Sequence, residues 1–205
     1  MMKKVATLML WMSSYFVCAG SSPEVSVVYA GNKTFALYLD QAQKETQLVK
    51  LKDKYGQVLL SDRARTTESF ARRYNLMNLP AGEYFLTVED GTRTFVQPIT
   101  VTINALNIPE NALKTVFTPS VVVSTARIDY TLLCLDETAV TIEIIDEFGR
   151  KNYTATTQEQ GSVQRRFDIR SLTPGTYSVV TKLKDNQFEK RYTEVFTIGE
   201  IVASR

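Results

Sequence analysis

The chain has 205 residues, with 24 Lys and Arg against 22 Asp and Glu, no His and two Cys. That length accommodates one large or two small domains, each able to bury a core, and the ordinary composition excludes a low-complexity or block-charged chain. Without His there is no Ser-His-Asp triad, no His-ligated zinc and no imidazole switch.

Lys3 and Lys4 precede an apolar run from Val5 to Val17, which is followed by Ala19, Gly20, Ser21 and Ser22. This is the charged, apolar and small-residue order of a secretory signal peptide, so residues 1–19 are read as one, with cleavage after Ala19 and export to periplasm, surface or medium. Lipid anchoring through Cys18 is the lesser alternative, because Tyr15-Phe16-Val17 puts two bulky rings where such signals want small residues. The apolar run is short for a membrane span and no second one follows. Removal of Lys3 and Lys4 leaves 22 basic against 22 acidic residues. The mature chain is then formally neutral, and no nucleic-acid partner is expected.

Val25–Tyr29 opens the first folded region. Phe35, Leu37 and Leu39 alternate with Ala36 and Tyr38, the period of a half-buried strand. Gln47–Lys52 and Val58–Leu60 flank a tight turn at Asp53-Lys-Tyr-Gly56, where Asp bonds locally and Gly supplies the backbone angle. Ala71–Leu76 is the next strand. Leu79-Pro-Ala-Gly-Glu-Tyr84 then launches a strand with Tyr84, Leu86 and Val88 on one face. Asp90-Gly91 turns it back, and Phe95, Ile99, Val101 and Ile103 line the return. Residues 104–115, interrupted by Pro109, read as a linker.

The same order recurs. Phe35, Leu37 and Leu39 match Ile128, Tyr130 and Leu132; Asp53 and Gly56 match Asp146 and Gly149; Arg72-Arg73 match Arg165-Arg166; Gly82 and Tyr84 match Gly175 and Tyr177. Every pair is 93 positions apart. The chain reads as a tandem duplication, with copy one at 23–103, copy two at 116–199 and a tail at 200–205. Seven short strands per copy at roughly ten-residue spacing predict an all-β protein of two immunoglobulin-like or fibronectin III-like sandwiches. The second copy's last hairpin is longer, with Phe188, Tyr192, Phe196 and Ile198 on its return.

Copy one resembles the C-terminal sorting domain of the type IX secretion system of Bacteroidetes. The likeness rests on Asp53, Gly56, Val58 and Leu59, then Leu79, Pro80, Gly82, Tyr84, Leu86 and Val88, then Gly91, Ile99 and Val101. It spans about residues 47–103; copy two follows it more loosely, with Thr173-Pro174 shifted by one. The resemblance implies a sandwich fold and a Bacteroidetes-type envelope protein. A terminal signal is read from an accessible end, and the closer likeness lies mid-chain, so both copies are expected to be structural sandwiches, with sorting cargo as the alternative.

The remaining residues suggest no chemistry. Glu89-Asp90, Asp136-Glu137 and Asp146-Glu147 all fall at turns, where neighbouring carboxylates do not face one another across a cleft. Cys134, flanked by Leu133 and Leu135, reads as a small buried apolar group. The Arg pairs read as charged guards of a sheet edge. Most rings, among them Phe35, Tyr55, Tyr74, Tyr84 and Phe95, are expected in the core. Phe85, whose parity points outward and whose counterpart is Ser178, is the one candidate for an exposed ligand contact. The structural motif is Asp53, Gly56, Gly82 and Tyr84 with Asp146, Gly149, Gly175 and Tyr177. The expected function is a noncatalytic secreted or envelope-associated spacer, adhesion or protein-interaction module, with no cofactor and no metal. Its partners would be other envelope or secreted proteins. The alternatives are sorting cargo and a carbohydrate-binding accessory.

Overall fold

The computed structural model describes residues 24–39, 46–65, 70–184 and 189–199. The expected signal peptide with Cys18, the expected tail 200–205, residues 66–69 and Phe188 lie outside them. The described residues form two β-sandwiches, and no helix among them is long and apolar enough to cross a membrane.

The first sandwich has seven strands: β1 (Val25–Tyr29), β2 (Thr34–Leu39), β3 (Gln47–Asp53), β4 (Val58–Ala64), β5 (Phe70–Asn75), β6 (Gly82–Glu89) and β7 (Arg93–Val101). They form a three-stranded sheet β1-β2-β5 and a facing sheet ordered β4-β3-β6-β7, the strand partition of an immunoglobulin-type fold. Alternation decides which side chains enter the core. Phe35, Leu37 and Leu39 from one sheet meet Val49, Leu51, Tyr84, Leu86, Val88, Phe95, Ile99 and Val101 from the other. Phe35 stacks on Tyr74 at 5.1 Å between ring centroids. Each aliphatic side chain so buried contributes about 1.5–3 kcal/mol relative to exposure. Ile103, expected on the same inward face, lies beyond the end of β7 and is 82% exposed.

The expected linker is built into the first sandwich instead of hanging between two domains. Two short strands, β8 (Leu106–Asn107) and β9 (Lys114–Phe117), flank Pro109 and pair antiparallel with the outer edge of β7. Pro109 interrupts the strand, as its missing N–H requires, but its carbonyl oxygen accepts a hydrogen bond of 3.1 Å from the buried Gln97 Nε2. Leu106 then enters the first core while Val116 enters the second.

The second sandwich comprises β10 (Ser120–Val123), β11 (Arg127–Asp146), β12 (Lys151–Asp168), β13 (Gly175–Lys184) and β14 (Glu189–Ile198). Its seven expected strands become five because β11 and β12 each run through both layers. The partner pairs nevertheless repeat at the 93-residue offset. Leu39 faces Phe70 and Leu132 faces Val163; Gln47 faces Ala64 and Val140 faces Thr157; Val49 faces Val88 and Ile142 faces Thr181. Where the long hairpin passes between layers, residues 135–137 bulge opposite Gln160, whose Nε2 donates to the Leu135 carbonyl at 3.1 Å. Gly161 bends the other strand at a φ of 104° that side chains disfavour. The last hairpin is longer here, since Tyr84 faces Ile99 but Tyr177 faces Phe196.

Candidate functional site

The two Asp-x-x-Gly turns have the same internal bonding. Asp53 Oδ1 accepts from the amides of Tyr55 and Gln57, both at 2.9 Å, and Asp146 Oδ1 accepts from Phe148 at 3.0 Å and Arg150 at 2.8 Å. Gly56 and Gly149 hold φ of 84° and 81°, which only glycine adopts without strain. Each turn thus spends its carboxylate on its own backbone. Burial raises the Asp146 carboxyl, but the amide and guanidinium of Arg150 and the amide of Phe148 together outweigh it and hold Asp146 below its usual range.

Gly82 and Gly175 begin the strands that carry the corner tyrosines. Tyr84 is buried and its hydroxyl donates to the Pro80 carbonyl at 2.9 Å; Tyr177 is buried and donates to the Thr173 carbonyl at 2.8 Å. Tyr177 also stacks on Phe196 at 5.6 Å. A buried ring with a satisfied hydroxyl pins the turn before the strand to the core.

Tyr55 is not a core residue. It is 83% exposed at the tip of its turn, and its counterpart Phe148 is 77% exposed. The turn geometry compels this, because the aspartate acceptor folds the backbone under the intervening residues and points their side chains outward. A cation lies over each ring, Lys54 at 5.0 Å and Arg150 at 5.4 Å. The signal in the sequence was the position between Asp and Gly, which outranks repeat matching as a guide to burial.

Phe85 does point out of the first core, but it is not a free ring. It is half-buried because the second sandwich packs over it, and Val96 of β7 is a full member of the second core. Lys190 of β14 reaches across to Thr94 Oγ1 and lies 3.7 Å from Glu89, which is also 2.7 Å from Lys50 and 3.6 Å from Lys52. Burial lowers the Lys190 ammonium to about 8, with Lys52 and Lys50 pushing the same way and Glu89 opposing. Burial raises the Glu89 carboxyl, but the hydrogen bond from Lys50 and the charges of Lys190, Lys52 and Lys50 outweigh it and hold Glu89 below its usual range. Between the two sandwiches lies a cleft of about 570 Å³, with Lys52, Tyr55, Phe85 and Glu83 on one wall and Lys184, Glu189 and Arg191 on the other.

Elsewhere the charged groups are committed to structure. Arg72 pairs with Asp62, which also accepts from the Tyr74 hydroxyl at 3.1 Å, and Arg166 pairs with Asp129 at 2.6 Å. Asp90 accepts from the amides of Thr92 and Arg93 at 2.7 and 2.8 Å and so closes its own hairpin. Cys134 is buried and unpaired, and burial raises its thiol. Among the described residues, no three His, Cys, Asp or Glu side chains converge on a point that could hold a metal ion.

Comparison with known proteins places a family signature on the second sandwich. The model of the secretion system C-terminal sorting domain matches residues 119–193. The sorting-domain resemblance therefore holds, and the matched stretch is copy two, where the residue-by-residue likeness was looser than in copy one. No curated protein matches the chain. A solved structure described as biofilm associated protein, BSP domain, is 12% identical with a TM-score of 0.29, covering 88% of this chain and 30% of its own. The FN1–FN3 domains of chicken CNTN1 are 11% identical with a TM-score of 0.30, covering 85% and 64%. The chain spans less than two thirds of either.

Proposed function

We propose that this is an exported, noncatalytic cargo protein whose second sandwich is the module read by a secretion system and whose first sandwich is the structural platform on which that module is seated. The observation that carries the reading is the sorting-domain match over residues 119–193. Its support from geometry is that the carboxylates of Asp53, Asp90 and Asp146 are consumed by their own turns, which leaves them no part in acid–base chemistry. The partners are then envelope proteins of the export route.

The test uses the full chain, since Val96 of the first sandwich completes the second core and a fragment from residue 116 would lack it. An epitope-tagged chain is expressed in a host with this secretion machinery and in the same host lacking its outer-membrane component. Protein reaching the surface or medium only in the competent strain supports the reading. Protein retained in the periplasm of both strains returns the second sandwich to a purely structural role.

A further inference from the structure

In sheet order β12 is an end strand: β11 takes one side of it, and among the described residues no strand takes the other. The counterpart of its first half is β4, also an end strand and in the same register, since Val49 faces Asp62 and Ile142 faces Ala155. An open strand edge invites pairing with another chain, and charged side chains are the usual guard. β4 has that guard in Asp62, Arg63 and Arg65. The equivalent residues of β12 are Ala155, Thr156 and Gln158, so residues 152–158 run uncharged. Tyr153, Thr154, Thr156 and Thr157 within this run all favour strands. The second half of β12 keeps a guard in Arg165 and Arg166, and the open side of β14 carries Glu189, Lys190, Arg191 and Glu194. β1 and β10 are uncharged too, but in both copies alike, which makes that a property of the shared frame. Loss of charge at the β12 edge belongs to the second sandwich alone.

We propose that this edge pairs with the same edge of a second copy of the chain, antiparallel about a two-fold axis at Ala155. The charges at the two ends of the neutral run choose the occupant. Lys151 closes it at one end and Glu159 at the other. Each has an ion-pair partner within the chain, yet 55% of the Lys151 side chain and 41% of the Glu159 side chain stay exposed. Antiparallel pairing brings the Lys151 end of one copy to the Glu159 end of the other, whereas parallel pairing would set like against like. Between the ends every side chain meets a neutral neighbour. Thr154 faces Thr156, Tyr153 faces Thr157, and Ala155 faces itself with nothing larger than a methyl group at the axis. Opposed residues must share a face of the sheet, and they do: Thr154 and Thr156 are exposed, Tyr153 and Thr157 half-buried. Thr156 already bonds Thr141 through their hydroxyls at 3.3 Å, so Thr154 of the second copy continues a row of threonines across the joint. The pattern that fits this edge is its own sequence. Such an isologous contact closes at two copies and leaves no open end for a third.

Sedimentation equilibrium of the full chain from residue 20 onward, between about 1 μM and about 1 mM, should show a reversible monomer–dimer equilibrium. Thr156→Arg installs the charge that Arg63 carries in the first sandwich and should weaken the dimer roughly tenfold. The site is exposed, so the melting temperature of the dilute monomer should not change. Adding Thr154→Glu to the same chain sets opposite charges across the joint twice and should restore the wild-type dissociation constant. Ser26→Lys, on the uncharged β1, should leave the equilibrium as it was. A chain that stays monomeric throughout, a dimer indifferent to Thr156→Arg, no recovery in the double variant, or a dimer lost in Ser26→Lys would each overturn the assignment.

Discussion

The two sandwiches share a hydrogen-bonding frame and differ in what is hung on it. Lys50 and Glu89 pair at 2.7 Å in the first; at the positions 93 residues on, Glu143 and Lys182 pair at 2.8 Å with the charges exchanged. The attraction survives while its sense reverses, which only a cross-strand neighbour relation fixed by register can explain. The surroundings then diverge. Glu89 collects Lys52 and, from the other domain, Lys190, whereas Glu143 collects Lys151 at 2.5 Å. The backbone frame, the aspartate turns and the tyrosine corners thus define the fold. The loops, the charge sign and the edge of β7 are where the two domains acquire different surroundings.

The largest effects should come from breaking what is shared. Tyr84→Ala and Tyr177→Ala each empty a buried corner and should cost about 3–5 kcal/mol in their own sandwich, measured by denaturant unfolding. Tyr→Phe at either position removes only the hydroxyl bond and should cost about 1 kcal/mol. Wild-type melting of the alanine variants would mean that the corners do not hold the fold.

The joint offers a sharper test of how separate the sandwiches are. Val96 belongs by sequence to the first and by packing to the second. Val96→Ala should therefore destabilise by about 1–3 kcal/mol, with amide exchange accelerating in β11 and β13 more than in β2 and β5. Acceleration confined to the first sandwich would restore the picture of two beads on a linker.

Exchanging the charged pair tests the mirror relation directly. Lys50→Glu sets two carboxylates together and should cost about 1–2 kcal/mol. Adding Glu89→Lys should recover only part, because the new lysine meets Lys52 and Lys190. The corresponding exchange at Glu143 and Lys182 should recover more, with Lys151 the one cation left in conflict. A double-mutant cycle reads the coupling, and equal recovery in both domains would mean that the neighbours do not matter.

Much of this frame could be read in the sequence. Period-two alternation in Phe35–Leu39 and Tyr84–Val88 assigns their faces because a one-residue slip would expose the whole set, and the constant spacing of matched residues implies common partners. What could not be read depended on contacts between distant segments. Phe85 has outward parity, and nothing local reveals that a second domain covers it. Pro109 reads as a break, yet the strands on either side of it still find the open edge of β7. Continuous β11 and β12 replace four expected strands because Gly161 and the bulge at 135–137 let the chain bend without leaving the sheet. Tyr55 was misplaced for a local reason, since a ring between the Asp and Gly of a tight turn has no core to enter.

The smallest expected effect concerns Lys190, and it separates the joint from both domains. Its ammonium titrates at about 8 in the folded chain against an ordinary 10.5, burial being the main cause. Below pH 8 it is charged in both states, and folding bears the full cost of burying that charge. Between about 8 and 10.5 the unfolded chain still holds a proton that the folded chain has released. The unfolded state then binds more protons, so stability should rise with pH across this window. The gain is modest, because Lys190 keeps a fifth of its side-chain exposure and its bonds to Thr94 and Glu89 offset part of the cost. Lys190→Met removes the titration while keeping the apolar stem. The variant should melt at or above wild type at pH 7.5, and the difference should shrink as the pH approaches 10.5. Parallel curves, or a gap that widens with pH, would show that burial between the sandwiches does not set the charge of Lys190.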